Sequence, residues 1–137
     1  MTQVTTRNVI AAAAFLFLMA VSNADADCNF AETCKDIQLE GPGLVAVCKT
    51  KDGYDALAFI DLDLEIGNKD GQLVYPGTGF SLSCSRIELI DGHVLSAYCT
   101  KNFRFESSTS TIDLNNCFQN YNGKLLPCSG SVENAAE

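Results

Sequence analysis

The chain has 137 residues, seven cysteines, one histidine and a formal net charge of −8. So acidic a protein repels phosphate backbones, which excludes nucleic acid and anionic membranes as partners but not neutral ones such as sugars. Residues 1–26 do not read as part of a fold. Arg7 gives a short positive start, Val9 to Val21 is an almost unbroken apolar run, and Ser22-Asn23-Ala24-Asp25-Ala26 offers small residues for cleavage. That is the pattern of a secretory signal peptide cut after Ala26 or Ala24, and the run is short for a membrane span. The mature chain of about 111 residues is then one ordinary domain, expected to be extracellular and not inserted in a membrane.

Cysteine usage points the same way. Seven cysteines in a small exported chain imply a disulfide framework, with at least one thiol left without an intrachain partner. No C-x-x-C occurs and His93 alone cannot complete a zinc cluster, so no metal and no cofactor are expected. There is no Asn-x-Ser/Thr sequon for N-glycosylation.

The chain is written twice. Cys34-Lys35-Asp36-Ile37-Gln38-Leu39 leads to Leu44-Val45-Ala46-Val47-Cys48, and Cys84-Ser85-Arg86-Ile87-Glu88-Leu89 leads to Leu95-Ser96-Ala97-Tyr98-Cys99. The cysteine separations are 14 and 15. Ile37 and Leu39 alternate with polar residues as in a half-buried strand, and Gly41-Pro42-Gly43 turns the chain back. A Cys34–Cys48 bridge would clamp that hairpin, at about 3 kcal/mol in the chain-entropy model, and Cys84–Cys99 would clamp its copy. Ile60, Leu62 and Leu64 alternate next, as do Ile112 and Leu114. Each copy then carries Asn-x-Asp/Asn-Gly-x-Leu, at Asn68 to Leu73 and Asn120 to Leu125, with a turn at Asp70-Gly71 or Asn122-Gly123. The stretches Leu64 to Asn68 and Asn116 to Asn120 are alternatively short helical turns.

One copy has too few apolar residues for a core, whereas two packed together do not. The repeats run over approximately 33–75 and 83–128, within a domain of 27–128. Tyr75-Pro76-Gly77-Thr78-Gly79 links them, a short hinge of the kind that permits domain swapping. Residues 129–137 are small, polar and acidic, and read as a disordered tail. Cys117 and Cys128 flank the second Asn-Gly turn and are expected to form a third bridge. Cys28 then stays unpaired, bonds a second molecule, or displaces one partner of that bridge.

A cysteine, a hairpin, a cysteine, Ile-Asp-Leu and Asn-x-Asp/Asn-Gly-x-Leu, twice in tandem, resembles the cyanovirin-N homolog family, over essentially all of Asp27 to Cys128. The run Asn116-Cys117-Phe118-Gln119-Asn120-Tyr121-Asn122-Gly123 is similar to its secreted fungal branch. The resemblance implies an all-β, pseudo-symmetric tandem repeat of triple-stranded sheets and β-hairpins, with strands exchanged between halves. It implies a non-catalytic lectin with two sites for terminal α-mannose on glycoproteins or cell walls, as a monomer or a domain-swapped or disulfide-linked dimer.

Carried over by position, the first site joins Asn29, Glu32 and Thr33 to Lys49, Thr50, Lys51 and Asp52 and to Asn120, Tyr121 and Asn122. The second joins Gly67, Asn68, Lys69 and Asp70 to Thr78, Gly79, Leu82 and Ser83 and to Thr100, Lys101, Asn102 and Arg104. Such amide, hydroxyl and carboxylate groups suit sugar hydroxyls, which donate and accept together. Gly67 and Leu82 stand where the family has acidic sugar contacts, so the second site is expected to be weakened.

Other patterns have plainer readings. Asp61, Asp63 and Glu65 suggest calcium, but a helix-loop-helix loop counted from Asp61 needs glycine and a carboxylate where Ile66 and Gln72 stand. The solvent face of a strand is expected instead. His93 is expected in an exposed hairpin turn, and no Gly-x-Ser-x-Gly supports a hydrolase. Phe103 and Phe105 are expected in the core, whereas Tyr75 and Tyr121 are candidate stacking platforms. An alternative to the lectin is a structural or effector-like secreted protein that keeps the fold with weak or no glycan binding.

Overall fold

The computed structural model describes residues 28–102 and 105–128. The leader at 1–26, Phe103, Arg104 and the tail at 129–137 lie outside the described residues. The strands are β1 (Cys34–Glu40), β2 (Gly43–Lys49), β3 (Asp55–Asp61), β4 (Gly67–Lys69) and β5 (Gln72–Val74). They are followed by β6 (Cys84–Ile90), β7 (Val94–Thr100), β8 (Ser107–Asp113), β9 (Phe118–Tyr121) and β10 (Lys124–Pro127). All pairings are antiparallel, in sheets β1-β2-β3 and β6-β7-β8 and hairpins β4-β5 and β9-β10. Among the described residues no helix is long and apolar enough to cross a membrane.

The repeat is copied down to its irregularities. Both β1 and β6 break register after their first two residues, and there Asp36 and Arg86 each take φ 52°. Each bulge inserts residues that turn the strand while Ile37 and Ile87 stay packed against the core. Four single 3₁₀ turns, Phe30–Glu32, Leu62–Leu64, Phe80–Leu82 and Leu114–Asn116, precede or follow the sheets at equivalent places.

The halves exchange hairpins. β4-β5 of the first repeat packs on β8 of the second, where Leu73 N–H donates to Ser110 Oγ and Ser108 Oγ–H donates to the Gly71 carbonyl. β9-β10 packs on β3 in the same way, with Gly123 so close to Ala56 that a Cβ there would lie 2.9 Å from the alanine methyl. The core lies between sheets and exchanged hairpins. It is built from Phe30, Phe80 and Phe118 with Leu44, Leu62, Ile66, Leu95 and Leu114, all fully buried. Truncating any of these phenylalanines to alanine costs about 3–5 kcal/mol.

Several sequence expectations are corrected. The alternation through Leu64 ends at Asp61, because the chain there coils into a 3₁₀ turn and leaves Leu64 exposed. The helical turns thus sit at Leu62–Leu64 and Leu114–Asn116, and the residues after them are strands. Asp61 ends β3 half-exposed on its outer face, and its carboxylate also caps the turn by accepting from Asp63 N–H at 3.0 Å. Asp63 binds the backbone N–H and the hydroxyl of Ser81, tying the first repeat to the linker side of the second. His93 is half-buried, with Nδ1 at 2.9 Å from Asp113 Oδ1 and its carbonyl accepting from Leu114 N–H. Phe105 is 98% exposed, not core. Tyr75 is no platform either, since it packs edge-to-face on Phe118 at 5.8 Å, half-buried against the core.

Bridges Cys34–Cys48 and Cys84–Cys99 join directly opposed residues with Cα atoms 4.0 Å apart. The third bridge corrects the sequence expectation: Cys28 bonds Cys128, and Cys117 is a free, buried thiol. Cys117 and Cys128 do oppose each other, but Cys128 N–H donates to the Cys117 carbonyl at 2.8 Å. Hydrogen-bonded opposed residues hold their Cα atoms about 1 Å farther apart than non-hydrogen-bonded ones. The Cys117 side chain turns inward instead, its thiol donating to the Asp113 carbonyl at 3.6 Å. Bonding Cys28 to Cys128 also removes the route to a dimer linked through Cys28, and it closes a loop with a sequence separation of 100.

Burial, then the Asp113 charge, pushes the Cys117 thiol up to about 12 from 9.0. The folded protein therefore holds this proton where the unfolded chain releases it. The contribution is constant below about pH 9, and stability falls as pH rises from there towards 12. Native protein at pH 8 should not react with iodoacetamide, whereas protein in guanidinium should take up one label at Cys117. Peptide mapping should recover Cys28 joined to Cys128; a Cys117–Cys128 peptide would contradict the structure.

Candidate functional site

Each exchanged hairpin is fastened by one asparagine amide. Asn120, on β9, donates through Nδ2 to Thr33 Oγ1 at 2.8 Å and to the Lys49 carbonyl at 3.0 Å. Its Oδ1 accepts from Gly123 N–H at 2.8 Å, closing its own turn. Asn68 does the same in the other half, donating to Ser83 Oγ at 2.8 Å and the Thr100 carbonyl at 2.9 Å, and accepting from Gly71 N–H. The next turn residue adds a second tie: Asn122 Oδ1 accepts from Lys51 N–H, and Asp70 Oδ1 from Asn102 N–H, both at 2.9 Å. Asn122 and Asp70 reach these donors from positive φ, a conformation their short polar side chains tolerate.

The first candidate site is thus assembled from three segments distant in sequence. Thr33, Lys49, Lys51, Asn120, Tyr121 and Asn122 converge, with the Lys51 ammonium 4.7 Å from the Tyr121 ring centroid and 3.5 Å from its hydroxyl. Glu32 and Thr33 are exposed beside them. Thr50 is turned into its own loop, where its hydroxyl accepts from Tyr54 N–H. Asp52 stands exposed at the loop's tip. Asn29 anchors the segment, with φ 59° and its N–H donating to the Asn115 carbonyl at 2.7 Å.

A cavity of about 200 Å³ opens next to this cluster, lined by Glu32, Thr33, Cys34, Lys35, Val47, Lys49 and Asp55. Lys35 and Asp55 were not anticipated. The Asp55 carboxylate bridges Lys49 Nζ at 2.8 Å and Lys35 Nζ at 3.1 Å. The hydrogen bond from Lys49, then that from Lys35, holds Asp55 below the usual carboxylate range, and Asp55 raises Lys35 in return. The signal was available: once Cys34 opposes Cys48, alternation puts Lys35, Lys49 and Asp55 on one face.

In the second candidate site the structure brings together Asn68, Asp70, Ser83, Thr100 and Asn102. Lys69 is exposed on β4 and Thr78 on the linker, while Lys101 is half-buried. Arg104 lies outside the described residues. Leu82 is 89% exposed, an apolar side chain at the rim of a polar cluster. Gly67 is buried rather than facing solvent. A Cβ on it would lie 3.1–3.3 Å from the Thr78 and Gly77 backbone, because the linker bridges there through Gly67 and Gly79. Among the described residues there is no group of three or more histidine, cysteine, aspartate or glutamate side chains able to hold a metal.

A profile of the CVNH domain matches residues 30–90 and again residues 80–137. The chain belongs to the CVNH family. Its two profile matches correspond to the two repeats. Among solved structures, the CVNH protein of Gibberella zeae is 32% identical, with a TM-score of 0.66 over 74% of this chain and 98% of that one. The CVNH protein of T. borchii is 31% identical, with a TM-score of 0.66 over 72% and 98%. Microvirin, solved as a mannobiose complex, is 28% identical, with a TM-score of 0.62 over 73% and 98%.

The asparagine clamps make a prediction of their own. Asn120→Ala or Asn68→Ala removes a hydrogen-bonding group from three backbone or hydroxyl partners, so each should cost about 1–3 kcal/mol in urea denaturation. These variants should therefore lose stability, not merely a ligand contact; an unchanged urea midpoint would show that the clamps carry no load.

Proposed function

We propose that this CVNH protein is a secreted, non-catalytic lectin that binds terminal α-mannose of high-mannose glycans, chiefly at the first site. Family membership supports carbohydrate binding, and the likeness to a protein solved with mannobiose supports mannose. The observation that carries the choice of site is the cavity beside Glu32, Thr33 and Lys49, where a carboxylate, a hydroxyl and an ammonium stand together at an open edge. Sugar hydroxyls donate and accept in pairs, and this edge offers both partners. The clamp amides of Asn120 and Asn122 are occupied within the protein and shape the rim, while Glu32 is exposed, Thr33 accepts from Asn120 but keeps its O–H to donate, and Lys49, paired with Asp55, keeps further N–H donors. The leader supports export to an oxidising compartment, which the three bridges require. The Asn116-to-Gly123 run supports a fungal source.

One observation favours the alternative reading, a fold retained with little glycan affinity. The second site presents exposed Leu82 and has backbone where an acidic side chain at 67 would need room. An apolar residue offers sugar hydroxyls no acceptor, so that site is inactive in this proposal.

Isothermal titration of the oxidised protein with α1,2-linked dimannose should give saturable heat with a stoichiometry near one. Glu32→Gln should weaken binding about tenfold, on the order of 1.4 kcal/mol, while leaving the melting temperature in place. Absence of heat at millimolar sugar, from protein shown to be folded, would retire the mannose reading and leave the second one.

A further inference from the structure

The two halves share a backbone but differ on one surface. The outer face of the first sheet is read from its register: Glu40, Gly43 and Asp61 form one row, and Gln38, Val45 and Phe59 the next. Lys35, Val47 and Leu57 follow, and Lys49 with Asp55 ends the face. Leu57 is 78% exposed and Phe59 60%, with Val45 and Val47 half-buried between them. The Phe59 ring lies so close over Gly43 that a Cβ there would stand 2.3 Å from Cε1, so the aromatic side chain is laid along the sheet. At the equivalent positions of the second sheet stand Ser96 and Thr111, then Tyr98 and Thr109. Tyr98 is covered there by Arg86, 4.7 Å from its ring. Four apolar side chains on one half replace three hydroxyl residues and a covered tyrosine on the other. The core between the sheets does not set this difference, because the register puts all eight positions on the outer faces, Ser96 being buried there.

We propose that this face is an interface between two copies of the chain. An in-plane two-fold axis running across the strands sets Phe59 against Leu57 of the second copy, twice, and Val45 against Val47. The charges fit the same operation. One end of the face carries the carboxylates Glu40 and Asp61; the other carries two ammoniums, Lys35 and Lys49, against the single carboxylate Asp55. The axis seats Lys49 over Gly43 of the second copy, between its Glu40 and Asp61; Asp55 falls opposite Asp61, and its two lysine partners offset that repulsion. Three strands of seven residues measure about 14 Å by 24 Å, well below the roughly 800 Å² per partner of a stable complex. The dimer is therefore weak and exchanges rapidly.

The test is sedimentation of the oxidised protein, produced from the full chain, across concentrations up to about 1 mM. Dimer that appears with concentration and dissociates on dilution is expected. Leu57→Thr with Phe59→Thr, which installs the second half's own residues, should weaken association at least tenfold with an unchanged melting temperature. Glu40→Lys makes each copy less negative, so general repulsion would fall; the proposed pairing nevertheless predicts weaker association. Thr109→Leu with Thr111→Phe should create a second such face and drive larger assemblies. Protein that stays monomeric throughout overturns the proposal. So does a dimer indifferent to the Leu57/Phe59 change, or one that survives dilution as a domain-swapped form would. Because Lys35, Val47, Lys49 and Asp55 of this face also line the cavity of the first site, oligomannose bound there should dissociate the dimer, and oligomannose that binds without dissociating it also overturns the proposal.

Discussion

Neither repeat can bury its own apolar side chains, and the rest of the structure follows from that. A three-stranded sheet of seven-residue strands has one inner face and nothing within its own repeat to cover it. The protein covers each sheet with the other repeat's hairpin and fastens the hairpin with a single amide, Asn68 or Asn120. Each amide spends two donors and an acceptor on backbone and hydroxyl groups from three separate segments. Specificity for the exchanged arrangement thus resides in a few directional bonds laid over a non-directional hydrophobic core.

That arrangement creates the candidate site as a by-product. The clamp brings Thr33, Lys49 and Asn120 together from regions far apart in the chain, and the cavity opens where their segments meet. The polar groups nearest the clamp are committed to structure, and those one step outward, Glu32 and the Lys35–Asp55–Lys49 cluster, face solvent. Duplication supplies two such places, and divergence has acted on them unequally. One keeps charged groups around an open cavity, whereas the other gains Leu82 at its rim and a linker pressed against Gly67. The outer sheet faces have diverged as well, one apolar and one hydroxylated, although their backbones match in register.

Much of this was legible in the chain as written. The doubled cysteine spacing, the alternation around Ile37 and Ile87 and the two Asn-Gly or Asp-Gly turns carry local information, and local physics reads it: period, turn chemistry and hairpin clamps. The membership of both site clusters followed from resemblance, and the structure does bring their clamp residues together. The errors share a cause. Leu64, Phe105, Tyr75 and Asp63 were judged by alternation and residue type, and each is decided by what lies across from it in space. Cys117 failed in the same way: a hairpin neighbour in sequence, it faces the core, and Cys28 comes from the far end of the chain to take its partner.

The sequence by itself determined the repeat, the antiparallel hairpins, two of the three bridges and the residue types available at the sites, because each depends on neighbours within a few positions or on a repeated spacing. Only the tertiary structure decided which hairpin covers which sheet, where Cys28 goes, that Asn120 and Asn68 are fasteners rather than free contacts, and that Lys35 and Asp55 border the cavity. Those depend on contacts between residues as many as 100 positions apart, and no local period encodes which distant partner a hydrogen bond or a disulfide will find.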